Sequence, residues 1–302
     1  MMFDLFALGS VNVDMIGFVD AYPEPNVKIQ ICNLQERVGG PSSTAAVTAS
    51  FLGLGVAFCG IYGDDKNGEE ILDFLKFSGI DTSSMKRRDG HGSRFAFVIN
   101  DPDSRTIFWS NDDLKLIAEE ELPYEMIKKS RAIHIDEYEW DAAVPAAKYA
   151  KREGVKVFVD IESVNETTLE LASLADYLVI PEIFGVTYTG EYEDLSGVAK
   201  KIFDEFKVPV VLTCGKNGAY CCSEEGQFHQ AIFDIPVKDT TGAGDVFHGA
   251  FIYSTLKGMS LQDAVRFATA ASAVRCNGPA AKNNVPSTEE IEKVLASNID
   301  RI

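Results

Sequence analysis

A glycine-rich segment that ends in an aspartate carries the residue types needed to move a phosphoryl group. The segment runs from Asp239 to Phe251 and has the sequence DTTGAGDVFHGAF. Its glycines let the backbone turn sharply into a helix, so we expect the amides of Gly242, Ala243 and Gly244 to lie unpaired at that helix N-terminus. Such amides attract anions. Asp245 would stand in the first turn, where its carboxylate can accept the proton of an attacking hydroxyl group.

The bare Gly-x-Gly-Asp pattern also fits an acidic residue that only stabilises a helix dipole. The length of the string favours the chemical interpretation over that simpler one. The position of the string, after a long α/β pattern, points the same way.

Composition and charge limit the partners and the location that we expect. The 302 residues include 46 acidic and 28 basic side chains, for a formal charge of −18, which repels nucleic acid. A phosphate site must therefore be made locally, from backbone amides, a few cations or a metal. The sequence has no long apolar run and no signal-like N-terminus, so we expect no membrane partner and a cytoplasmic protein.

Short β-branched runs alternate with helical patterns between Ala132 and Thr213. This alternation predicts an α/β protein with a mostly parallel central sheet flanked by helices on both faces. The segment 16–38 departs from it, since it alternates only weakly and contains two prolines. We interpret residues 1–302 as a single domain with a small β lid inserted at about 16–38, with which part of 94–109 could associate.

Several further segments occur in an order that resembles the ribokinase-like (PfkB) carbohydrate kinase family, whose C-terminal signature is similar to residues 239–251. They are Gly9 to Asp14, the pair Gly39 and Gly40, Tyr62 to Asp65 with Gly68, Thr213 to Gly218, and Asn284 to Pro286. The resemblance covers nearly the whole chain. It implies a three-layer ribokinase-like α/β fold with a β lid. It also implies Mg²⁺ with ATP as the donor and a sugar or related polyol as the acceptor.

The resemblance also implies roles for individual residues. Asp245 would be the catalytic base, with the amides of 242–244 as an anion hole. The substrate would be bound by Asp14, at the carboxyl edge of the sheet where ligands usually bind, together with Asn12, Gly39, Gly40 and Thr44. The nucleotide would be bound by Thr213, Gly215, Lys216 and Gly218. A monovalent cation such as K⁺ would lie near Asp239 and Thr241.

Two positions depart from the family pattern. The family usually has asparagine where this chain has Thr44, and usually has N-x-x-E where this chain has Pro181-Glu182-Ile183-Phe184. Glu182 is the acidic residue left in that segment, and we take it as the candidate metal ligand.

Three functions stay open from the sequence. The chain could phosphorylate a sugar or sugar acid, or a nucleoside held in an aromatic slot made from Phe95, Phe97 and Trp109. It could also be a catalytically silent sugar- or nucleotide-binding relative. Members of the family often dimerise through the lid, so we expect a homodimer whose interface includes Phe18 and Ile29, against the alternative of a monomer.

We expect His134, between two isoleucines, to be a satisfied core histidine. We assign no role to His248.

Overall fold

An eight-stranded sheet forms the centre of this computed structural model, which describes residues 3–102, 104–111, 114–278 and 285–297. Asn284, in the predicted late loop, lies outside the described residues. The strands are β1 (Phe3–Leu8), β2 (Asn12–Phe18), β3 (Cys32–Gly39), β4 (Val56–Cys59), β5 (Ile61–Gly63), β6 (Lys86–Arg88), β7 (Phe95–Asn100), β8 (Arg105–Ser110), β9 (Ser130–Asp136), β10 (Lys156–Asp160), β11 (Tyr177–Pro181), β12 (Val210–Thr213), β13 (Ala219–Ser223) and β14 (Gly226–Gln230).

The helices are α1 (Pro41–Phe51), α2 (Lys66–Phe77), α3 (Tyr124–Lys128), α4 (Trp140–Arg152), α5 (Glu166–Leu174), α6 (Glu182–Thr189), α7 (Leu195–Phe206), α8 (Ala243–Leu256), α9 (Leu261–Cys276) and α10 (Thr288–Ala296). Short 3₁₀ turns cover Glu119–Glu121 and Gly215–Asn217. No helix within the described ranges is both long and apolar enough to cross a bilayer.

The central sheet has the order β14-β13-β12-β11-β10-β9-β1-β4. Its strands are parallel from β4 to β12, and β13 and β14 are antiparallel additions at one edge. Alternate residues of β1 enter different apolar clusters: Leu5 and Ala7 pack on one face, Phe6 and Leu8 on the other. Because both faces of the sheet are covered, the predicted three-layer α/β fold is confirmed.

The lid is a four-stranded sheet with the order β3-β2-β7-β8. It begins at Asn12 rather than near residue 16, and residues 19–31 form no strand, so the predicted boundaries of 16–38 were shifted. The segment 94–109 contributes two of the four strands. The lid therefore depends on pairing between β2 and β7, which are parallel and far apart in sequence.

Helix α8 packs closely on α1, because small residues line their contact. A Cβ atom at Gly249 of α8 would overlap the backbone oxygen of Ala45 in α1. Gly40 precedes α1 with φ of 107°, and Pro41 then fits the first helical turn. This packing brings the start of α1 beside the start of α8, where the candidate site lies.

Candidate active site

A cavity of about 920 Å³ lies between the lid and the carboxyl edge of the central sheet. The lid contributes Asn12, Asp14, Arg105 and Trp109; the sheet edge contributes Glu137, Tyr138 and Glu162; and the glycine-rich turn contributes residues 240–245. Parallel strands that end together bring these distant segments into one place. The position of this cavity is where a ligand is expected in an open α/β sheet.

A smaller cavity of about 50 Å³ adjoins it and unites most of the predicted substrate residues. Its lining includes Asp14, Gly39, Gly40, Thr44 and Asp245. Asp14 and Asp245 line both cavities, and Asn12 lines the larger one. The structure therefore places the predicted base and the predicted acceptor-binding residues around one space.

The carboxyl group of Asp245 has a pKa raised to about 7. Burial is the main cause, because it disfavours the charged form, and the nearby carboxylates of Glu162 and Asp14 raise the pKa further. Arg105 opposes them. A base with a pKa near neutrality is suited to take a proton at physiological pH.

The turn before α8 lines the cavity and leaves backbone amides unpaired, although fewer than the sequence suggested. Gly242 adopts a left-handed conformation, with φ of 76°, and α8 begins at the next residue. The amide of Ala243 donates to the carbonyl oxygen of Thr240 at 3.1 Å. Within the described chain, the amides of Gly242 and Gly244 have no such partner, so the predicted anion hole is reduced from three donors to two.

Asp14 is held in place by its neighbours on the lid. Its carboxylate accepts a hydrogen bond from the side-chain amide of Asn12, and a Cβ atom at Gly39 would overlap it. Burial raises the pKa of Asp14 to about 6, while the positive charge of Arg37 opposes the rise. Gly39 is therefore needed for space, and Asn12 orients the carboxylate.

Asp239 is neutralised by two guanidinium groups. Its carboxylate lies 3.0 Å from Arg275 and 3.1 Å from Arg37, and it also accepts the amide hydrogen of Thr241 at 2.9 Å. These partners hold the pKa of Asp239 down to about 2 against the effect of its burial. A monovalent cation here would meet a carboxylate that is already paired, so backbone oxygens would have to supply most of its ligands.

The predicted nucleotide residues lie at the end of β12 and in the loop after it, and none of them lines the large cavity. Thr213 ends β12, and the following 3₁₀ turn carries Gly215 and the exposed Lys216. Gly218 has φ of 77°, and a Cβ atom there would overlap the backbone oxygen of Gln230. This loop therefore lies at the same sheet edge as Asp245, two strands away from β10.

Glu182 also lies away from the large cavity. It begins α6, and its side chain interacts with the thiol of Cys214 beside the nucleotide loop. Phe184, two residues later, is fully buried in the core. The sequence analysis missed Glu162, which lines the large cavity and raises the pKa of Asp245.

Asp136 is a second residue that the sequence did not reveal. Its buried carboxylate accepts hydrogen bonds from the amide and hydroxyl of Ser10, both at 2.8 Å, and from the amide of Ser42 at 3.2 Å. Gly9 is required beside it, because a Cβ atom would overlap the carboxylate. Asp136 thus ties the entrance of the lid and the start of α1 to the end of β9.

The aromatic slot is only partly as predicted. Phe95 and Trp109 line the large cavity, but Phe97 does not. Side chains alternate along a strand, and Trp109 pairs with Ala96, which places both Phe95 and Phe97 on the face opposite to Trp109. The three rings therefore do not face one another in a single slot.

The expectation that His134 is a satisfied core histidine holds for its burial but only in part for its hydrogen bonds. Its side chain is fully buried, and its Nε2 has no partner among the described residues. Its ring lies 5.6 Å from the ring of His248, whose Nε2 is 3.3 Å from a carboxylate oxygen of Asp160. The two histidines therefore belong to one buried polar cluster beneath the site.

Comparisons with known proteins agree with this arrangement. A family model described as pfkB family carbohydrate kinase matches residues 2–288. A 5-dehydro-2-deoxygluconokinase from Bacillus licheniformis is 26% identical over 98% of this chain and 96% of its own. A nucleoside kinase from Methanothermobacter thermautotrophicus is 27% identical over 96% of this chain and 94% of its own. The structure of Arabidopsis thaliana ribokinase, complexed with ribose and ATP, superimposes with a TM-score of 0.83 at 23% identity, covering 98% and 99% of the two chains.

Proposed function

The chain belongs to the pfkB family of carbohydrate kinases, and we propose that it transfers the terminal phosphoryl group of ATP to a hydroxyl group of a small sugar or sugar acid. The observation that carries this proposal is the position of Asp245. Its partly buried carboxylate, with a pKa of about 7, stands in the first turn of α8 beside unpaired amides and at the wall of a large cavity.

Different residues bind the acceptor, take its proton and stabilise the transferred phosphoryl group. Asp14, oriented by Asn12, accepts hydrogen bonds from acceptor hydroxyl groups and holds one of them near Asp245. Asp245 takes the proton of that hydroxyl as its oxygen forms a bond to the γ-phosphorus and the bond to the leaving ADP breaks. The amides of Gly242 and Gly244 stabilise the negative charge on the phosphoryl oxygens during the transfer.

Magnesium fits the acidic character of the site. Glu162 lines the large cavity and raises the pKa of Asp245, so a divalent cation would offset an existing repulsion between carboxylates. We propose that Glu162, or Glu182 at the nucleotide loop, holds Mg²⁺ through its carboxylate oxygens. When bound with ATP, the ion neutralises charge on the β- and γ-phosphates.

A nucleoside acceptor is the second candidate, and one observation favours it. Trp109 lines the large cavity, and its ring is nearly perpendicular to that of Tyr138, with the ring centroids 6.2 Å apart. A base could stack on such a surface, whereas a small sugar leaves much of the cavity unfilled.

Steady-state turnover with Mg²⁺ and ATP across a panel of sugars, sugar acids and nucleosides tests the proposal. We expect turnover on a sugar or sugar acid, and turnover lower by about 10²-fold to 10⁴-fold with the same acceptor when Asp245 is replaced by Asn. The highest kcat/KM on a nucleoside would select the second candidate. Binding of acceptor and ATP without turnover would identify a catalytically silent relative.

The assembly, the monovalent cation and the location form part of the same proposal. Four apolar side chains are exposed on or beside the lid, which supports a homodimer that covers them: Val27, Ile29, Ile31 and Leu34.

K⁺ would bind near Asp239 and Thr241. Comparing turnover in KCl with turnover in choline chloride tests this site. Six free cysteines fit a reducing compartment such as the cytoplasm.

A further inference from the structure

Three potential metal ligands meet in the interior, beneath the site described above. His134 lies on β9, Asp160 ends β10, and His248 lies on α8. One ligand atom from each lies within 4.8 Å of the others. None of the three side chains is more than one-tenth exposed. Three distant segments of the chain thus direct two imidazoles and one carboxylate toward a common point.

The buried imidazole of His134 is incompletely satisfied. Its Nδ1 is 3.2 Å from the hydroxyl oxygen of Ser42, while its Nε2 has no partner among the described residues. Leaving a buried polar atom unpaired costs about 1–3 kcal/mol. In metal sites, a ligating histidine commonly bonds through one nitrogen to such a neighbour and through the other to the ion.

The contact between His248 and Asp160 has the spacing of two ligands around one ion. Their nearest atoms, Nε2 and Oδ1, are 3.3 Å apart, whereas a charge-assisted hydrogen bond is about 2.7–2.9 Å. Two ligands that each lie about 2.0–2.1 Å from a tetrahedral ion are about 3.3 Å apart. The pair therefore needs little movement to share a metal.

We propose that His134, Asp160 and His248 bind one divalent transition-metal ion of the Zn²⁺ class. Two imidazole nitrogens and one carboxylate suit zinc, cobalt or nickel, whereas magnesium and calcium prefer oxygen ligands alone. With Nε2 of His134 on the ion, Nδ1 carries the hydrogen and donates it to the hydroxyl oxygen of Ser42. A fourth position on the ion is left for water or for the second oxygen of Asp160.

The ion would tie α8 to the centre of the sheet. His248 follows Asp245 by three residues, which places it on the same face of α8 and about one turn deeper. The carboxylates of Asp160 and Asp245 are also near enough to repel each other. A cation bound below Asp245 offsets this repulsion and fixes the orientation of the helix that carries it, independently of which acceptor the kinase uses.

Metal binding to the full-length, chelator-treated protein tests the proposal without reference to turnover. Titration with Co²⁺ is followed by visible absorption, and titration with Zn²⁺ by calorimetry. We expect one equivalent, with the visible spectrum of a nitrogen- and oxygen-ligated ion and no thiolate charge-transfer band in the near ultraviolet. A thiolate band would show that the ion is bound by some of the six cysteines of the chain instead.

Variants assign the ligands. His134→Gln and His248→Gln should each weaken binding by more than about 100-fold, beyond the 10–100-fold typical of losing a neighbour that only orients a ligand. Ser42→Ala should fall within that smaller range. The matched control is His229→Gln, because His229 is exposed and lies on β14, away from the three proposed ligands. This variant should bind the metal ion with the affinity of the wild type.

Circular dichroism checks that each variant is folded. If both glutamine variants unfold, the nearly isosteric Asp160→Asn decides the question, and it should lose the high-affinity equivalent. The proposal is overturned if the wild type and His248→Gln bind the ion with equal affinity. If His248→Gln unfolds, the same comparison is made between the wild type and Asp160→Asn. The proposal is also overturned if the bound Co²⁺ shows thiolate ligation that survives these replacements.

Discussion

The guanidinium group of Arg275 lies 3.0 Å from the carboxylate of Asp239, where the chain enters the glycine-rich turn. Arg275 is fully buried on α9, and Asp239 has little exposure. A buried charge of this kind is stable only while its partner remains. The pair therefore fixes the start of the turn against α9.

We expect Arg275→Met to lower the free energy of unfolding by about 3 kcal/mol, the low end of the range for a broken buried pair, because Arg37 still neutralises Asp239. Urea denaturation measures this change. Arg87→Met is the control, since Arg87 is more than half exposed and its ion pairs contribute little. Equal stability of the two variants would contradict the argument.

The pH dependence of that stability follows from the low pKa of Asp239, which is about 2 in the folded protein and about 3.9 in an unfolded chain. A depressed carboxyl pKa stabilises the protein fully above the unfolded value. We expect this contribution to disappear as the pH falls from about 4 through 2. Asp239→Asn should lose stability at neutral pH and show a shallower decline over that interval.

Asp245→Asn should leave the fold intact and lower kcat by about 10²-fold to 10⁴-fold, the usual contribution of a positioned base. Because the base acts in its deprotonated form and its pKa is about 7, kcat/KM of the wild type should fall as the pH drops below about 7. The variant should lack that dependence. A variant with near-wild-type turnover, and with chemistry shown to be rate-limiting, would remove Asp245 from this role.

Asp14→Ala should weaken the binding of the acceptor far more than that of ATP, because Asp14 lines both cavities while the predicted nucleotide loop lies elsewhere. Loss of a hydrogen bond to a charged group costs about 1.5–3 kcal/mol, so we expect acceptor affinity to fall by about 10-fold to 150-fold. Calorimetry with each ligand measures both effects. A similar loss for the two ligands would count against a specific role.

Gly242→Ala and Gly244→Ala form a matched pair. Gly242 adopts a left-handed conformation that costs about 1–2 kcal/mol for alanine, whereas Gly244 lies in α8 with open space where a Cβ atom would be. We expect thermal unfolding to show destabilisation only for Gly242→Ala. The reverse order of stability would mean that the turn has a different backbone conformation.

The lid interface is tested by charged replacements. We expect a dimeric mass by light scattering at micromolar concentration, and a shift toward monomer for Phe18→Asp or Ile29→Asp. Phe77→Asp is the control, because Phe77 is highly exposed on α2 and outside the lid. A fully active monomer in the wild type would refute the dimer, while a dimer indifferent to these changes would place the interface elsewhere.

Sequence reasoning identified residues that belong to local motifs and missed those that depend on pairing across the fold. Asp245 and Gly242 could be predicted because one continuous string defines the turn and the helix that follows. Glu162 and Asp136 could not be predicted, because their roles depend on which strands end side by side at the same edge of the sheet. The face of Phe97 could not be predicted either, because the sequence does not give the register that pairs it with Phe108.

The bonds of Asp136 also bear on how the protein forms during synthesis. Ser10 and Ser42 donate to a carboxylate that follows Ser10 by 126 residues, and β1 takes its place between β4 and β9. At about 5–20 residues per second, the ribosome delivers Asp136 roughly 6–25 s after Ser10. During that interval the first lid strands and α1 lack the group that anchors them. The segment from Ser10 to the end of α1 therefore stays without this anchor until β9 emerges.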